Sequence, residues 1–356
     1  MEGTMKGYGI CAPNTFGLIE NVPVPQCGPL DAIAEPVVLA TCSSDPHQVH
    51  AGMPTGLILG HEVVARIVEV GSLVEEYKPG DVVCVGAVTP DWLKKEGQDN
   101  IHQHAGGQNY GMNWCVFENG TFAEYFRIRQ VDQNCARIPE NLTVEHALMA
   151  SDMVTTGFHG VELANVQYGD TVVVMGIGPI GLMSVAGAAL RGAGRIIAIG
   201  NRPKTMELAK YYGATDVLNY KDGPIDELVL EATHGVAPDC CIPTGGTQDT
   251  FARCIKMVKP NGYVSNLQAQ TFDTVIPMEY TLGWASHKHV NGGLCPGGRR
   301  RLERLLAIMS AGRLDPTKMI TQRYHGFDHI KDAYADMDGK NGHKSNEVVK
   351  PIIYND

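Results

Sequence analysis

One stretch constrains this chain more than any other: "TVVVMGIGPIGLMSVAGAALRG", residues 171–192. The valine-rich run TVVVMG predicts a buried strand. PIGLMSVAGAALRG predicts a helix with Pro179 at its start and Gly192 at its end. Between them lies Gly176-Ile177-Gly178-Pro179-Ile180-Gly181, a GxGxxG. The chain holds 41 glycines, so this spacing alone says little, and its place between strand and helix carries the argument. The first glycine permits a tight turn, the second lets backbone approach a pyrophosphate, and the third lets the helix pack close to the strand. The helix N-terminus favours the phosphate charge. These residues therefore predict a parallel α/β sheet that binds a dinucleotide, rather than a bare strand-to-helix turn.

Beyond Gly192 the chain keeps the same alternation. "RIIAIG" (195–200) predicts the next strand and "KTMELAKYYG" the next helix, with "DCCIP", "GYVSNL" and "HKHVNG" as later strands. The end of the second strand distinguishes two cofactors. An NAD site places Asp or Glu there to bind the ribose 2′-hydroxyl. Here the strand ends "AIGNRP", so Gly200 holds that position, next to Asn201 and Arg202. A carboxylate would repel a 2′-phosphate. Gly200 reads as leaving room for that group and Arg202 as binding it through a planar guanidinium. Tyr220, just after the third strand in "LNYKDG", is expected against the adenosine. The expected cofactor is NADP.

The chain before about residue 150 reads differently. "EVVARIVEVG" (62–71), "DVVCVG" (81–86) and "TFAEYFRI" (121–128) predict strands of an antiparallel, β-rich unit. Near the C-terminus "RRRLERLLAIMSAGRL" sets Leu302, Leu305, Leu306 and Met309 on one helical face, a core stripe, and "EVVKPIIY" is strand-like again. With 356 residues the chain is long enough for two cores. A net charge of −10 argues against nucleic acid or an anionic membrane surface as the main partner. No window approaches the roughly 20 apolar residues that span a bilayer. The opening "MEGTMKGYGI" lacks the apolar core of a signal peptide. The ten cysteines have no paired spacing apart from the adjacent Cys240 and Cys241, which reads as reduced thiols in a cytoplasmic enzyme.

"ATCSSDPHQVHAGMPTGLILGHE", residues 40–62, raises the question of a metal. It sets one cysteine ahead of a Gly-His-Glu, without the tight CxxC pairs of a compact four-cysteine zinc module. Taken singly, Cys42 reads as a small buried hydrophobe, His61 as a core histidine and Asp152 as a helix cap. Their motifs read together say more. "CSSDPH", "LGHE", "TPDW", "HQHAGG", "DMVTTGFHG", "GIGPIGLM", "LRGAGRIIA", "YYGATD", "NYKDGPI" and "GGLCPGGR" resemble the zinc-dependent medium-chain alcohol dehydrogenases, in their NADP-dependent secondary-alcohol branch. The likeness runs from about Met5 to the C-terminus.

That resemblance implies a Rossmann, doubly wound parallel sheet domain over 154–295 and a β-rich, GroES-like catalytic domain over 1–153 and 296–356. It implies one catalytic zinc held by Cys42, His61 and Asp152, with Glu62 as a mobile or fourth ligand. Scattered ligands suit a catalytic zinc, which keeps an open position. The region 84–120 offers only Cys84 and Cys115, so no structural four-cysteine zinc is expected. By the same resemblance Ser44 accepts a hydrogen bond from the substrate hydroxyl and His47 passes the proton outward, with Pro46 between them. Met112 stands at a pocket position where the branch has tryptophan, and Ala269 where it tends to have tyrosine, which implies a roomier pocket. Leu294 and Cys295 match and are expected to wall the site. The implied activity is reversible hydride transfer between small secondary alcohols and ketones, in a homotetramer. The alternatives are a zinc-free quinone or enoyl reductase of the same superfamily and a nucleotide-binding structural protein; zinc content and an alcohol-oxidation assay discriminate among them.

Overall fold

The computed structural model describes residues 2–94, 114–246, 248–268, 286–338 and 346–356. It divides into two compact units, Met1–Thr155 with Cys295–Asp356, and Thr156–Leu294. No helix among the described residues is long and apolar enough to cross a membrane.

The front of the first unit is built from short strands. β1 (Thr4–Ala12) and β2 (Thr15–Pro23) form an antiparallel ribbon. β3 (Ala32–Ala40), β4 (Glu62–Val70), β5 (Val82–Val85), β6 (Phe126–Ile128) and β7 (Cys135–Arg137) belong to a larger sheet. "TFAEYFRI" yields a strand only from Phe126. Its earlier half is held as a loop, with the Phe122 amide donating to the Leu59 carbonyl and the Tyr8 amide donating to the Phe122 carbonyl. Phe122 is itself fully buried, so side-chain packing and these loop bonds replace a ladder.

The second unit is a six-stranded sheet, entirely parallel, in the order β10-β9-β8-β11-β12-β13. Its strands are β8 (Thr171–Met175), β9 (Arg195–Gly200), β10 (Asp216–Asn219), β11 (Cys240–Pro243), β12 (Tyr263–Asn266) and β13 (His289–Gly292). Helix Pro179–Leu190 comes after β8 and is almost wholly apolar, with Gly181 to Ala188 all buried. Val173, Ile197, Cys241, Ile255 and Val264 form the core on one side of the sheet. Arg195 and Asp216 tie β9 to β10 through two bonds of 2.9 Å. β13 is exposed along its whole length and forms one edge among the described residues.

The C-terminal segment returns to the first unit with helix Arg299–Ser310, whose Leu302, Leu305, Leu306 and Met309 are buried, and with β14 (Ile320–His325) and β15 (Lys350–Tyr354). They complete the order β14-β15-β3-β4-β5-β7, with β6 also pairing with β3. This sheet is mixed rather than purely antiparallel. β14 and β15 run parallel, as a strand pair separated by helix Ile330–Met337 allows. β3 lies between β15 and β4, with Ala40 opposite both Ile352 and Glu62. The chain leaving β3 at Thr41 and Cys42 thus emerges between the first residues of β4 and β15, and that register brings the candidate metal donors together.

Candidate functional site

Cys42 lies just past the end of β3, Glu62 opens β4 with His61 just before it, and Asp152 lies between helices Val144–Ser151 and Met153–Leu163. One donor atom from each of these four residues lies within 4.8 Å of the others. His61 Nε2 is 3.6 Å from Asp152 Oδ2 and 4.0 Å from Glu62 Oε1, and Cys42 Sγ is 4.0 Å from Asp152 Oδ2. All four are buried. A tetrahedral zinc with bonds of about 2.0–2.3 Å spaces its ligands roughly 3.3–3.8 Å apart, so the cluster needs only small adjustments to close on one ion.

Charge makes the same point. Three fully or nearly buried carboxylates, those of Asp45, Glu62 and Asp152, crowd one place against a single buried ammonium, Lys350. Glu62 Oε2 and Asp45 Oδ1 have no hydrogen-bond partner. Burial pushes the Glu62 carboxyl up to about 7, against the pull of Lys350. Burial disfavours a charged His61, yet its hydrogen bonds with Asp152, Cys115 and Cys42 hold its pKa well above the usual imidazole range. A proton on His61 or a metal ion answers this crowding of carboxylates, and a thiol, an imidazole and carboxylates are zinc donors.

Two groups in this cluster are not among the residues singled out by sequence. Asp45 accepts the Cys42 amide at 2.8 Å and so orients that donor, while its other oxygen lies 3.7 Å from His61 Nδ1, an ion-pair distance. Lys350 donates to Glu62 Oε1 at 2.5 Å and to the Thr41 carbonyl at 2.9 Å. A lone lysine inside the apolar run "EVVKPIIY" was the available signal, since an unpaired charge does not belong in a buried strand. Cys115 Sγ sits 3.8 Å from His61 Nδ1, opposite the donor side.

Ser44 begins helix Ser44–His50, and its Oγ is buried without a hydrogen-bond partner. His47 is exposed on the same helix. Pro46 does not disturb this helix because it stands in the first turn, where a missing amide costs no bond. Leu294 is half-buried at the end of the second unit, and Cys295 is buried at the start of the first unit's returning segment. Met112 and Ala269 lie outside the described residues.

The second unit contains a cavity of about 650 Å³ at the ends of β8 and β9. Gly176, Gly178, Gly200, Asn201, Arg202 and Tyr220 line it. Gly178 caps helix Pro179–Leu190, and a Cβ added there would meet nothing within 4 Å, so open space faces the helix N-terminus. Gly176 has φ 92° and lies against Gly245. At Gly181 a Cβ would come within 1.9 Å of the Gly176 carbonyl, which is helix-to-turn packing. Pro179, Ile180 and Gly181 themselves are not in the cavity lining. The space expected at Gly200 is already taken. A Cβ there would meet Ile177 Cγ1 at 2.2 Å, so glycine is required by packing and any larger residue would displace Ile177. Asp249 is the sole carboxylate in the lining, and it comes from helix Gln248–Met257 rather than from the end of β9.

Comparison with known proteins gives one family. Residues 28–140 match the family model described as alcohol dehydrogenase GroES-like domain, and residues 179–311 that described as zinc-binding dehydrogenase. The chain is 46% identical to the NADP-dependent isopropanol dehydrogenase of Thermoanaerobacter brockii over 98% of this chain and 99% of that one. The enzyme of the same name from Clostridium beijerinckii is also 46% identical, over the same shares. Among solved structures, zinc dependent alcohol dehydrogenase 2 from Streptococcus pneumonia superposes with a TM-score of 0.85 at 26% identity, covering 99% of each chain. With a parallel sheet whose cavity opens at a glycine-rich turn, and a β-rich unit holding a buried Cys, His, Glu and Asp cluster, this chain belongs to the zinc-dependent medium-chain alcohol dehydrogenase family, in its secondary-alcohol branch.

Proposed function

We propose that this protein interconverts small secondary alcohols and ketones by hydride transfer to and from NADP, with Cys42, His61 and Asp152 holding one zinc and Glu62 as a further donor. The buried cluster of these four residues carries the reading, because it sets a thiol, an imidazole and two carboxylates within reach of one ion. Zinc supplies Lewis acidity toward an alcohol or ketone oxygen, and NADP is the hydride carrier. The chain's own residues do the rest. Asp45 and Lys350 hold His61 and Glu62 in place. Ser44 Oγ, buried and unpartnered, accepts a hydrogen bond from the substrate hydroxyl and takes up its proton as another leaves. His47, exposed on the same helix, exchanges that proton with water, a task suited to an imidazole. The Gly178 opening receives the pyrophosphate, and Arg202 and Tyr220 receive the adenosine 2′-phosphate end.

The relatives that are NADP-dependent isopropanol dehydrogenases by name favour 2-propanol and acetone as the substrate type. The test is a panel of alcohols ranked by kcat/KM with NADP, alongside elemental analysis for zinc. Secondary alcohols are expected to exceed their primary isomers, and the reverse order would refute the substrate assignment.

The same reading includes a homotetramer in the cytoplasm. Among the described residues β13 is an exposed edge strand, which suits one subunit contact, and all ten cysteines are free thiols, as a reducing compartment keeps them. Light scattering on the purified protein tests the assembly.

A further inference from the structure

The cavity of the second unit holds a second guanidinium besides Arg202. Arg253 lines it from helix Gln248–Met257, one turn beyond Asp249 and Thr250, which line it from the same face. Among the described residues the one anion paired with Arg253 is Asp226, with Nη1 and Oδ2 3.7 Å apart, too far for a hydrogen bond. The Arg253 side chain is half exposed, so its donors remain available to a ligand. Arg202 and Arg253 face the single carboxylate of Asp249 in the lining, with Asp226 just outside it beside Arg253.

We propose that Arg253 is a second cofactor-binding cation, pairing by charge with the 2′-phosphate of NADP. The inference rests on the proposed use of NADP and adds a residue to it. A half-exposed guanidinium acts mainly through Coulomb attraction in solvent, so its effect is expected to weaken with salt, unlike that of a buried bidentate pair.

The test uses the full-length protein and titration calorimetry with two probes, adenosine 2′,5′-bisphosphate and 5′-AMP, at low and high ionic strength. Arg253→Ala should weaken the bisphosphate about three- to fivefold at low salt. Binding of 5′-AMP should stay unchanged, Arg253→Lys should recover most of the loss, and high salt should shrink it. Unchanged bisphosphate binding in Arg253→Ala, with the unmodified protein still preferring the bisphosphate, would overturn this inference alone. Equal losses for both probes would overturn it too, because they would reflect adenine contact or altered folding. No preference for the bisphosphate in the unmodified protein would overturn the NADP reading together with it.

Discussion

Replacing Lys350 with methionine isolates the electrostatics of the cluster from its chemistry. Methionine nearly matches the length of the lysine stem, so the volume is kept and the ammonium is what disappears. The structure sets the cost. Lys350 is fully buried, as is Glu62, and the two are in direct contact, while the Thr41 carbonyl loses its donor. Removing one partner of a buried ion pair costs about 3–5 kcal/mol, and an unpaired buried carbonyl adds about 1 kcal/mol or more. Proton uptake by Glu62 limits the loss, so a figure near 3 kcal/mol is expected. Against a total stability of about 5–15 kcal/mol that is a large fraction. Urea unfolding of chelator-treated protein measures it, monitored by the fluorescence of Trp92 and Trp114, which lie in the same unit as Lys350. The double variant Lys350→Met with Glu62→Gln should regain at least half of the loss, since no buried carboxylate is then left alone. A loss below about 1 kcal/mol, or no recovery in the double variant, would refute the claim that Lys350 balances a buried charge.

Two further outcomes rest on the division into units. Asp152→Ala should lose zinc and turnover while still binding NADPH, because the cavity lining belongs wholly to the other unit; full zinc content by elemental analysis would sink the ligand assignment. Arg202→Ala should weaken NADPH by about one to two decades while leaving NADH little changed, as expected for loss of charged hydrogen bonds. Dissociation constants for both cofactors decide it, and equal affinity for the two in the unmodified protein would contradict the role. Gly200→Asp is a poor companion to that test, because the clash with Ile177 would weaken either cofactor for steric reasons alone.

The parts of this protein that are local in the chain were legible in its sequence. The strand, glycine turn and helix around Gly176–Gly181 are specified by neighbours a few residues apart, so the pattern carries its own structural context. The same holds for the stripe Leu302, Leu305, Leu306 and Met309, whose burial comes from helical spacing. The metal donors were legible only through resemblance, since no local rule links Cys42 to Asp152, 110 residues later. Tertiary structure alone decided the rest. Lys350 meets Glu62 across 288 residues because β15 and β4 flank β3 in one register, and a shift of that register by one residue would turn the lysine to the other face. Asp45 stands on helix Ser44–His50 and comes near His61 only once β3 and β4 are paired. Gly200 looked like space left for a phosphate, and the fold shows that the space is filled by Ile177. Short-range pattern fixes which residues can form an element, whereas burial and charge pairing depend on which elements meet, and that is settled only by packing the whole chain.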